Sequence, residues 1–519
     1  MHADDDQNRT WPAPAAAGPV SARIRLPASK SITNRALVLA ALSDRPASIA
    51  NPLRARDTLL AVAALRTLGT AITESGQDPE LGTGWRVTPG QPARGSRVSI
   101  DVGNAGTVMR FLPAVAALTS AEVHFDGDAR ARQRPVGPIL TALRELGARI
   151  DDDGRGAIPF TVRGHGAIRG GTVTLDASGS SQLVSGLLLA APRADEGIEI
   201  RHEGPPVPSA PHIAMTVRML RAAGAEVAET CSGAEAGPGG APGRPDAWRV
   251  RPGRLDLGAV TVEPDLSNAG PFLAAALVTG GTITLPGWPR DSLQAAGQIL
   301  DVLARMGARW DLSADGLTVS GTGTIHGLTA DLRDVNELAP VLTAVAALAE
   351  SPSVFTGLAH TRGHETDRLA ALAKEINSLG GDITELPDGL RIRPRPLRAQ
   401  AADGPFGSYD DHRMVMAAAV LGLAVPGIRV AGAATVAKTF PGFTDVWGVL
   451  VRGGSAAPGG RPPGIPPILG GNPPPQTPLG APLAGDPSSQ TSPGTPLGSP
   501  LAGDPCPRTS PDRPSGPGL

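Results

Sequence analysis

Long apolar runs that begin at a polar cluster recur along most of this chain. Each run consists mainly of Ala, Leu and Val, and hydroxyl, amide or charged residues precede it. The runs occupy residues 27–42, 101–118, 176–191, 334–349 and 409–424. We expect each run to form an apolar helix whose first turn carries the polar cluster.

A second pattern marks the ends of helices. An apolar stretch followed by a glycine and then by the start of an apolar strand occurs six times. The glycines are Gly69, Gly147, Gly224, Gly307, Gly380 and Gly453, at intervals of 78, 77, 83, 73 and 73 residues. Because a glycine in this place is typical of a helix C-terminus, the sequence predicts six α/β units of about 75 residues. Units of this size are expected to cluster into globular lobes.

The chain changes character near residue 455. Pro, Gly, Ser and Thr dominate the remainder, in which "TPLGAPLAGDP" (477–487) returns as "TPLGSPLAGDP" (495–505). With almost no aromatic residues and no amphipathic period, residues 454–519 are predicted to be a disordered tail.

Composition narrows the class of protein. The 519 residues carry a formal net charge of −2, which gives no reason to expect binding to nucleic acid or to an acidic membrane surface. The N-terminus is acidic, unlike a signal peptide, and apolar stretches such as 414–425 are too short to span a membrane. We therefore expect a soluble cytoplasmic protein.

The choice of cation is unusual. Of the 47 basic side chains only three are lysines, Lys30, Lys374 and Lys438. Because ammonium and guanidinium differ in size and donor geometry, a lysine in this chain suggests that a compact charge is needed. Lys374 fits a solvated helix face, whereas Lys30 and Lys438 lie among hydroxyls, glycines or prolines near predicted helix starts.

Several predicted helices begin with a cation. A helix N-terminus presents free N–H groups and a partial positive charge, so Lys30, Arg110, Arg368 and Arg413 are unfavourable there unless an anion compensates them. Glu337 and Glu365 stand among these cations, which should keep them ionised, and a positioned carboxylate beside bound anions is a candidate proton shuttle. The residues alone thus predict a site for several anions with acid–base groups.

Other interpretations of these clusters are weaker. Ser180 and Ser181 also fit ordinary helix capping. His360 and His364 lack the His-Glu-x-x-His order and a third ligand, so we predict no metal. "GNAGT" is neither a Walker loop nor a dinucleotide motif, so no cofactor is predicted.

Seven motifs occur together in one order between residues 20 and 452. They are "LPASKSITNRALVLAALS", "GNAGTVMR", "RQRPVG", "SGSSQ", "RGHETDRL", "DDHRM" and "AKTFPG". In this combination the chain closely resembles the 5-enolpyruvylshikimate-3-phosphate (EPSP) synthase family of enolpyruvyl transferases. The resemblance implies an α/β (α+β) fold: a two-lobed inside-out α/β barrel of six βαβαββ repeats, three in each lobe. The first lobe would contain residues 1–28 and 263–453, the second residues 29–262, with the active site in the cleft between them.

The same resemblance implies the reaction. The enolpyruvyl group of phosphoenolpyruvate would be transferred to the 5-hydroxyl of shikimate 3-phosphate, in chorismate and aromatic amino acid biosynthesis, by a monomer without a cofactor. The alternative is the transferase acting on UDP-N-acetylglucosamine, which shares the fold but usually has a reactive loop cysteine; Cys231 lies in a Gly-rich insertion without that loop. A non-enzymatic anion-binding scaffold would require both carboxylates to be incidental.

Site residues carry over from the family motifs position by position. The catalytic set is Lys30, Glu337 and Glu365. The shikimate 3-phosphate set is Lys30, Ser31, Arg35, Ser180, Ser181, Gln182, Ser209, Glu337 and His364. The phosphoenolpyruvate set is Lys30, Gly106, Arg134, Gln182, Arg368, His412, Arg413 and Lys438. Two positions depart from the family, because many members have Asp in place of Glu337 and Lys in place of His364, which changes the reach of one side chain and the charge of the other.

Overall fold

The computed structural model describes residues 10–78, 81–231, 244–401 and 403–456. The predicted tail therefore lies, from residue 457 on, outside the described residues, as do residues 1–9. No helix in the described ranges combines the length and the hydropathy of a membrane-spanning segment.

Twelve α-helices of two alternating kinds occur in the described ranges. They are α1 (Lys30–Leu42), α2 (Arg56–Thr67), α3 (Gly106–Ala117), α4 (Gly137–Glu145), α5 (Ser181–Ala190), α6 (Ala210–Ala222), α7 (Gly270–Thr279), α8 (Ala296–Arg305), α9 (Ala339–Ala347), α10 (Arg368–Ser378), α11 (His412–Ala424) and α12 (Phe443–Arg452). The odd-numbered helices are buried on nearly every side, and most of them are the predicted apolar runs. The even-numbered helices bury one face only, as amphipathic outer helices do.

Short strands separate the helices, and many alternate buried and exposed residues. The strands are β1 (Thr10–Pro12), β2 (Ser21–Ile24), β3 (Ala47–Ala50), β4 (Ala71–Asp78), β5 (Gly82–Thr88), β6 (Arg97–Asp101), β7 (Glu122–Asp126), β8 (Arg149–Asp151), β9 (Phe160–Arg163), β10 (Gly171–Leu175), β11 (Ile198–His202), β12 (Val227–Thr230), β13 (Ala247–Val250), β14 (Ala259–Thr261), β15 (Thr282–Leu285), β16 (Ala308–Ser313), β17 (Gly316–Gly321), β18 (Thr329–Asp331), β19 (Ser353–Thr356), β20 (Asp382–Leu386), β21 (Gly389–Arg393), β22 (Phe406–Gly407), β23 (Arg429–Ala431) and β24 (Gly454–Ala456).

The strands form six open sheets, and none of them closes into a barrel within the described residues. Their orders are β14-β3-β5-β4, β6-β7-β9-β8, β10-β11-β13-β12, β16-β17-β15-β2-β24, β18-β19-β21-β20 and β1-β23-β22. Each sheet combines parallel and antiparallel pairing, with two parallel pairs in the five-stranded sheet and one in each of the others. The predicted mixed α/β fold of repeated units, with helices inside and sheets outside, is confirmed.

The six glycines that defined the repeat end the six outer helices. All of them have positive φ, between 74° and 111°. Five follow the C-cap residue of their helix, and Gly453 is itself the C-cap of α12. Because this backbone conformation costs little only for glycine, the predicted helix ends are confirmed at all six positions.

The buried apolar side chains form two separate clusters. One runs from Ala28 to Val262, and the other combines Ala13–Leu26 with Leu266–Leu450. We call the two halves the second lobe (29–262) and the first lobe (residues up to 28 and from 263 on). These boundaries remain a prediction, which the division of the core supports.

The chain passes between the lobes twice, and the two passages lie side by side. Ala28 and Pro264 form an antiparallel bridge, the Ser29 N–H donates to the Glu263 carbonyl at 2.8 Å, and the Asp265 N–H donates to the Pro27 carbonyl at 2.8 Å. Strand β14, at the end of the second lobe, then pairs with β3 at its beginning. These passages bring the start of α1 to the interface between the lobes.

Candidate active site

A narrow cavity of about 70 Å³ lies between the lobes, at the starts of the buried helices. Its lining includes every residue predicted to bind shikimate 3-phosphate: Lys30, Ser31, Arg35, Ser180, Ser181, Gln182, Ser209, Glu337 and His364. Arg413 from the phosphoenolpyruvate set lines it too. The structure thus brings together residues that are up to 383 positions apart in the chain.

Local capping explains why the charged side chains face this cavity. Ser29 caps α1, Ser180 caps α5, Asp367 caps α10 and Asp411 caps α11, each accepting a backbone N–H of the first turn. Each cap fixes where its helix begins. The one or two residues after each cap, which include the functional cations and hydroxyls, are therefore held in the first turn of the helix.

Glu365 lies in a cage of cations. Lys438 Nζ donates to Glu365 Oε1 at 2.7 Å, and Arg368 Nη2 donates to Glu365 Oε2 at 3.3 Å. Burial alone would raise the pKa of this carboxyl, but the charges of Lys438, Arg134 and Arg368 outweigh burial and hold the pKa well below its ordinary value. Glu365 is therefore ionised, as the sequence predicts.

Glu337 has a similar environment on the other side of Arg368. Its Oε2 accepts from Arg368 Nη1 at 3.3 Å and lies 3.2 Å from Arg413 Nε. Burial opposes ionisation here too, yet Arg368 and Arg413 hold the pKa of Glu337 well below its ordinary value. The Glu337 carboxylate therefore contacts two guanidinium groups at once.

Arg368 corrects one expectation about the cations. The sequence suggests that bound anions compensate Lys30, Arg110, Arg368 and Arg413, but for Arg368 the protein itself supplies the anions. Its Nε donates to Asp411 Oδ2 at 2.8 Å, in addition to its contacts with both glutamates. Arg368 and Asp411 are both fully buried, and this ion pair lies directly behind Glu337 and Glu365.

Lys30 is paired by a residue that the sequence analysis missed. Its Nζ donates to Asp57 Oδ2 at 3.2 Å, and the side chain of Asp57 is 2% exposed. Burial lowers the pKa of Lys30, but Asp57, Glu365 and Glu337 raise it above the ordinary value on balance. Lys30 is therefore a cation that Asp57, Glu365 and Glu337 stabilise.

Arg35 and Arg110 are buried cations with neutral partners. Arg35 donates to Thr216 Oγ1 at 2.7 Å and to Ser185 Oγ at 3.2 Å, and no carboxylate of the described residues pairs with it. Arg110 donates to the side chain of Gln182 at 3.2 Å. Burial lowers the pKa of each guanidinium to about 9. Such uncompensated buried charge favours an anionic ligand.

Gly106 leaves room for the guanidinium groups of Arg110 and Arg134, which form a cationic wall. It is the first residue of α3, and a Cβ there would lie 2.8 Å from Arg134 Nη2 and 3.0 Å from both Arg110 Nη1 and Gln182 Oε1. Arg134 is further held by Asn104, whose carbonyl and side-chain oxygen each accept from Nη1 at 2.9 Å. Lys438 Nζ reaches the same Asn104 carbonyl from the first lobe, at 3.3 Å.

The histidines of the site are neutral. Burial is the largest cause that lowers the pKa of His364 and of His412 well below the ordinary value. Arg368 Nη1 lies 3.1 Å from His364 Nδ1, and because a guanidinium only donates, Nδ1 is the unprotonated nitrogen. His364 therefore presents an uncharged ring to the cavity. Both ring nitrogens of His412 are buried without a hydrogen-bond partner in the described structure.

The cations around the cavity outnumber the carboxylates. The cations are Lys30, Arg35, Arg110, Arg134, Arg368, Arg413 and Lys438, and the carboxylates are Asp57, Asp265, Glu337, Glu365 and Asp411. The cavity is therefore surrounded by an excess of positive charge, which favours an anionic ligand. Among the described residues, no group of three or more His, Cys, Asp or Glu side chains could hold a metal ion.

Comparison with known proteins gives one consistent result. Residues 14–447 match the family model of EPSP synthase (3-phosphoshikimate 1-carboxyvinyltransferase). A 3-phosphoshikimate 1-carboxyvinyltransferase from Kocuria rhizophila is 50% identical over 455 residues, which are 87% of this chain and 98% of the relative.

Solved structures agree with the sequence relatives. One structure of EPSP synthase from Acinetobacter baumannii superposes with a TM-score of 0.66 at 25% identity, covering 85% of this chain and 98% of its own. A second structure of that enzyme gives the same TM-score at 24% identity and supports the fold alone.

Proposed function

The chain belongs to the EPSP synthase family, and from this premise we propose how its side chains share the work of the reaction. It is a 3-phosphoshikimate 1-carboxyvinyltransferase, an enzyme of the shikimate pathway in aromatic amino acid biosynthesis. It transfers the enolpyruvyl group of phosphoenolpyruvate to the 5-hydroxyl of shikimate 3-phosphate and releases phosphate.

Shikimate 3-phosphate is proposed to occupy the cavity between the lobes. The hydroxyls of Ser31, Ser180 and Ser181 and the guanidinium of Arg35 come from the second lobe, and Glu337 and His364 come from the first. Ser209 lies at the seam, where its Oγ accepts from Asn336 Nδ2 at 2.6 Å. The observation that carries this assignment is that all nine predicted residues line one cavity, with an acid–base carboxylate at its edge.

Phosphoenolpyruvate is proposed to bind the adjoining cationic wall. Arg134, Lys438, Arg413 and Lys30 supply charge for its phosphate and carboxylate groups, and Arg110 extends the same wall. Gly106 and Gln182 shape the space between the guanidinium groups. His412 completes the set as a neutral donor beside Arg413.

The chemistry then needs two proton carriers. The oxygen of the 5-hydroxyl adds to C2 of phosphoenolpyruvate, and Glu337 accepts the proton of that hydroxyl. At the same time Glu365 delivers a proton to C3. In the resulting tetrahedral intermediate Glu365 takes a proton back from C3, the C2–phosphate bond breaks, and phosphate leaves with the proton held by Glu337. A bound polyanion offsets the cations around Glu365, so its pKa rises on binding and the carboxyl can carry a proton.

Isosteric amides test the two carboxylates. We expect Glu337→Gln and Glu365→Gln each to lower turnover by about 10²–10⁴-fold, because an amide cannot shuttle protons. Phosphate release in the presence of both substrates measures turnover, and calorimetry measures binding of shikimate 3-phosphate alone, which is expected to persist. Glu350→Gln, on an exposed carboxylate, is the matched control.

Two results would overturn the assignment. Turnover within threefold of wild type in both amide variants would show that the carboxylates are incidental to a binding site. Phosphate release that depends on UDP-N-acetylglucosamine instead of shikimate 3-phosphate would point to the other enolpyruvyl transferase.

A monomeric, cytoplasmic enzyme is the corresponding proposal for the whole protein. It is supported by an active site built from residues of one chain and by the biosynthetic role of the family. Light scattering of the purified chain at working concentration measures the mass, and a dimer would contradict the proposal.

A further inference from the structure

The turn that precedes α11 is held in a strained conformation. Tyr409 and Asp410 have φ of 53° and 55°, the left-handed region that residues with side chains seldom adopt. The next three residues are Asp411, His412 and Arg413, of which the last two belong to the proposed phosphoenolpyruvate set. Strain beside functional residues persists only where the surroundings enforce it.

Glu375 on α10 supplies that enforcement. Its Oε1 accepts a short hydrogen bond from the Tyr409 hydroxyl, and its Oε2 accepts from the Gly407 N–H at 3.0 Å. Glu375 is 7% exposed and otherwise has no role in the site. Gly407 is also required locally, because a Cβ there would lie 2.9 Å from the Tyr409 ring.

The same helix holds the far end of the turn. Arg368 and Glu375 are seven residues apart and therefore lie on one face of α10. Arg368 binds Asp411 while Glu375 binds Gly407 and Tyr409, so one helix face grips the turn at both ends. Asp411 then accepts the Arg413 N–H at 2.9 Å, which fixes the first turn of α11.

We propose that Glu375 and Tyr409 are positioning residues for the enolpyruvyl transfer, which set Asp411 and Arg413 against Glu337 and the phosphoenolpyruvate site. They touch neither substrate and act through the backbone of the turn. The inference rests on the proposed assignment of Arg413 to phosphoenolpyruvate. We call the hydrogen bonds of Glu375 to Gly407 and Tyr409 the clamp. Weakening the clamp is expected to disturb the phosphoenolpyruvate side selectively. The serine hydroxyls proposed to bind shikimate 3-phosphate lie on other helices and keep their places.

Kinetics of two variants give the first test. Tyr409→Phe keeps the ring and loses the hydroxyl, and Glu375→Gln keeps one acceptor but cannot accept at both oxygens. We expect kcat/KM for phosphoenolpyruvate to fall about tenfold in each. The dissociation constant of shikimate 3-phosphate alone is expected to stay within twofold. Glu385→Gln, which removes an exposed ion pair with Arg362 in the same lobe, is the matched control.

A spectroscopic readout separates positioning from simple loss of stability. Tyr409 is the only tyrosine of the chain, so tyrosine labelled with ¹³C at Cζ gives a single resonance in the full-length enzyme. We expect this resonance to move when inorganic phosphate is added to the enzyme saturated with shikimate 3-phosphate. It is expected to stay in place when shikimate 3-phosphate is added alone.

The outcomes distinguish this inference from the proposed function. An unmoved resonance, or variants with wild-type kcat/KM for phosphoenolpyruvate, would overturn the clamp while the glutamine variants of Glu337 and Glu365 still report on the chemistry. Equal loss for both substrates together with a lowered melting temperature would show a structural role only, which also overturns the clamp. Wild-type turnover in the Glu337 and Glu365 variants would instead remove the proposed function.

Discussion

For individual side chains in this site, size matters as much as charge. Two of the three lysines, Lys30 and Lys438, each touch a buried carboxylate, at 3.2 and 2.7 Å. An ammonium can donate to such a partner and still turn another proton toward a ligand, whereas a guanidinium has a fixed planar fork. The scarcity of lysine in the sequence was therefore an informative signal.

Replacing Lys30 by arginine tests this argument. We expect Lys30→Arg to lower kcat by at least about 10²-fold, because the larger planar group cannot serve both Asp57 and the ligands from the same place. Phosphate release measures the loss. The fold should survive, because the charge is kept and the side chain is 21% exposed, so the melting temperature is the control. Activity within threefold of wild type would show that charge alone matters here.

At the scale of elements, the two ends of the helices have different tasks. The buried odd-numbered helices start near the cavity, as does the outer helix α10 with Arg368, and the outer even-numbered helices end at glycines that return the chain to the sheets. Helix α3 shows how closely the starts approach the ligand region, since Gly106 leaves no room for a methyl group beside Arg134 and Arg110.

A methyl group at this helix start is a selective probe. We expect Gly106→Ala to raise KM for phosphoenolpyruvate about threefold to tenfold, because the Cβ displaces two guanidinium groups, and to leave binding of shikimate 3-phosphate nearly unchanged. Steady-state kinetics with each substrate varied in turn measure both effects. Gly297→Ala in α8, where no atom lies within 4 Å of the new Cβ, is the matched control. An unchanged KM would mean that the wall yields freely.

Some features of these helices could be predicted from the sequence, and others could not. Two features were predicted: the helix ends at the six glycines and the cations at helix starts. Both depend only on a few neighbouring residues of the sequence. Two carboxylate partners of those cations, Asp57 and Asp411, were not predicted. Asp57 lies 27 residues from Lys30, and Asp411 lies 43 residues from Arg368, so only the packing of different helices brings each pair together. The sequence gave no sign that Asp411, which caps α11, also pairs with Arg368.

For the whole molecule, the interface between the lobes is part of the catalytic apparatus. Arg130 of the second lobe donates from Nε to the Glu365 carbonyl at 2.9 Å and from Nη2 to the His364 carbonyl at 3.1 Å. Together with the contact of Lys438 with Asn104, these bonds place the first lobe's proton carrier by means of the other lobe. Neither contact had a signal in the sequence, because each joins residues more than 200 positions apart.

Removing the Arg130 contact should uncouple the lobes. We expect Arg130→Met to lower kcat about tenfold or more, because the backbone at Glu365 loses two charge-assisted hydrogen bonds across the interface. Stopped-flow phosphate release measures kcat, and small-angle scattering with saturating substrates measures how tightly the lobes are held together, with a larger radius of gyration expected in the variant. Arg132→Met, whose guanidinium pairs with Asp126 within its own lobe, is the control. Wild-type kcat and a wild-type scattering curve would refute this coupling.

The paired passages at residues 27–29 and 263–265 have a consequence for how the protein can be built. Because the two ends of the second lobe lie one hydrogen bond apart, that lobe is an insertion whose entry and exit coincide. Excising the second lobe from the gene and joining the two segments of the first lobe by a short peptide would give two proteins, each with its own hydrophobic core. The architecture is thus modular in the genetic sense, although its active site exists only when both modules meet.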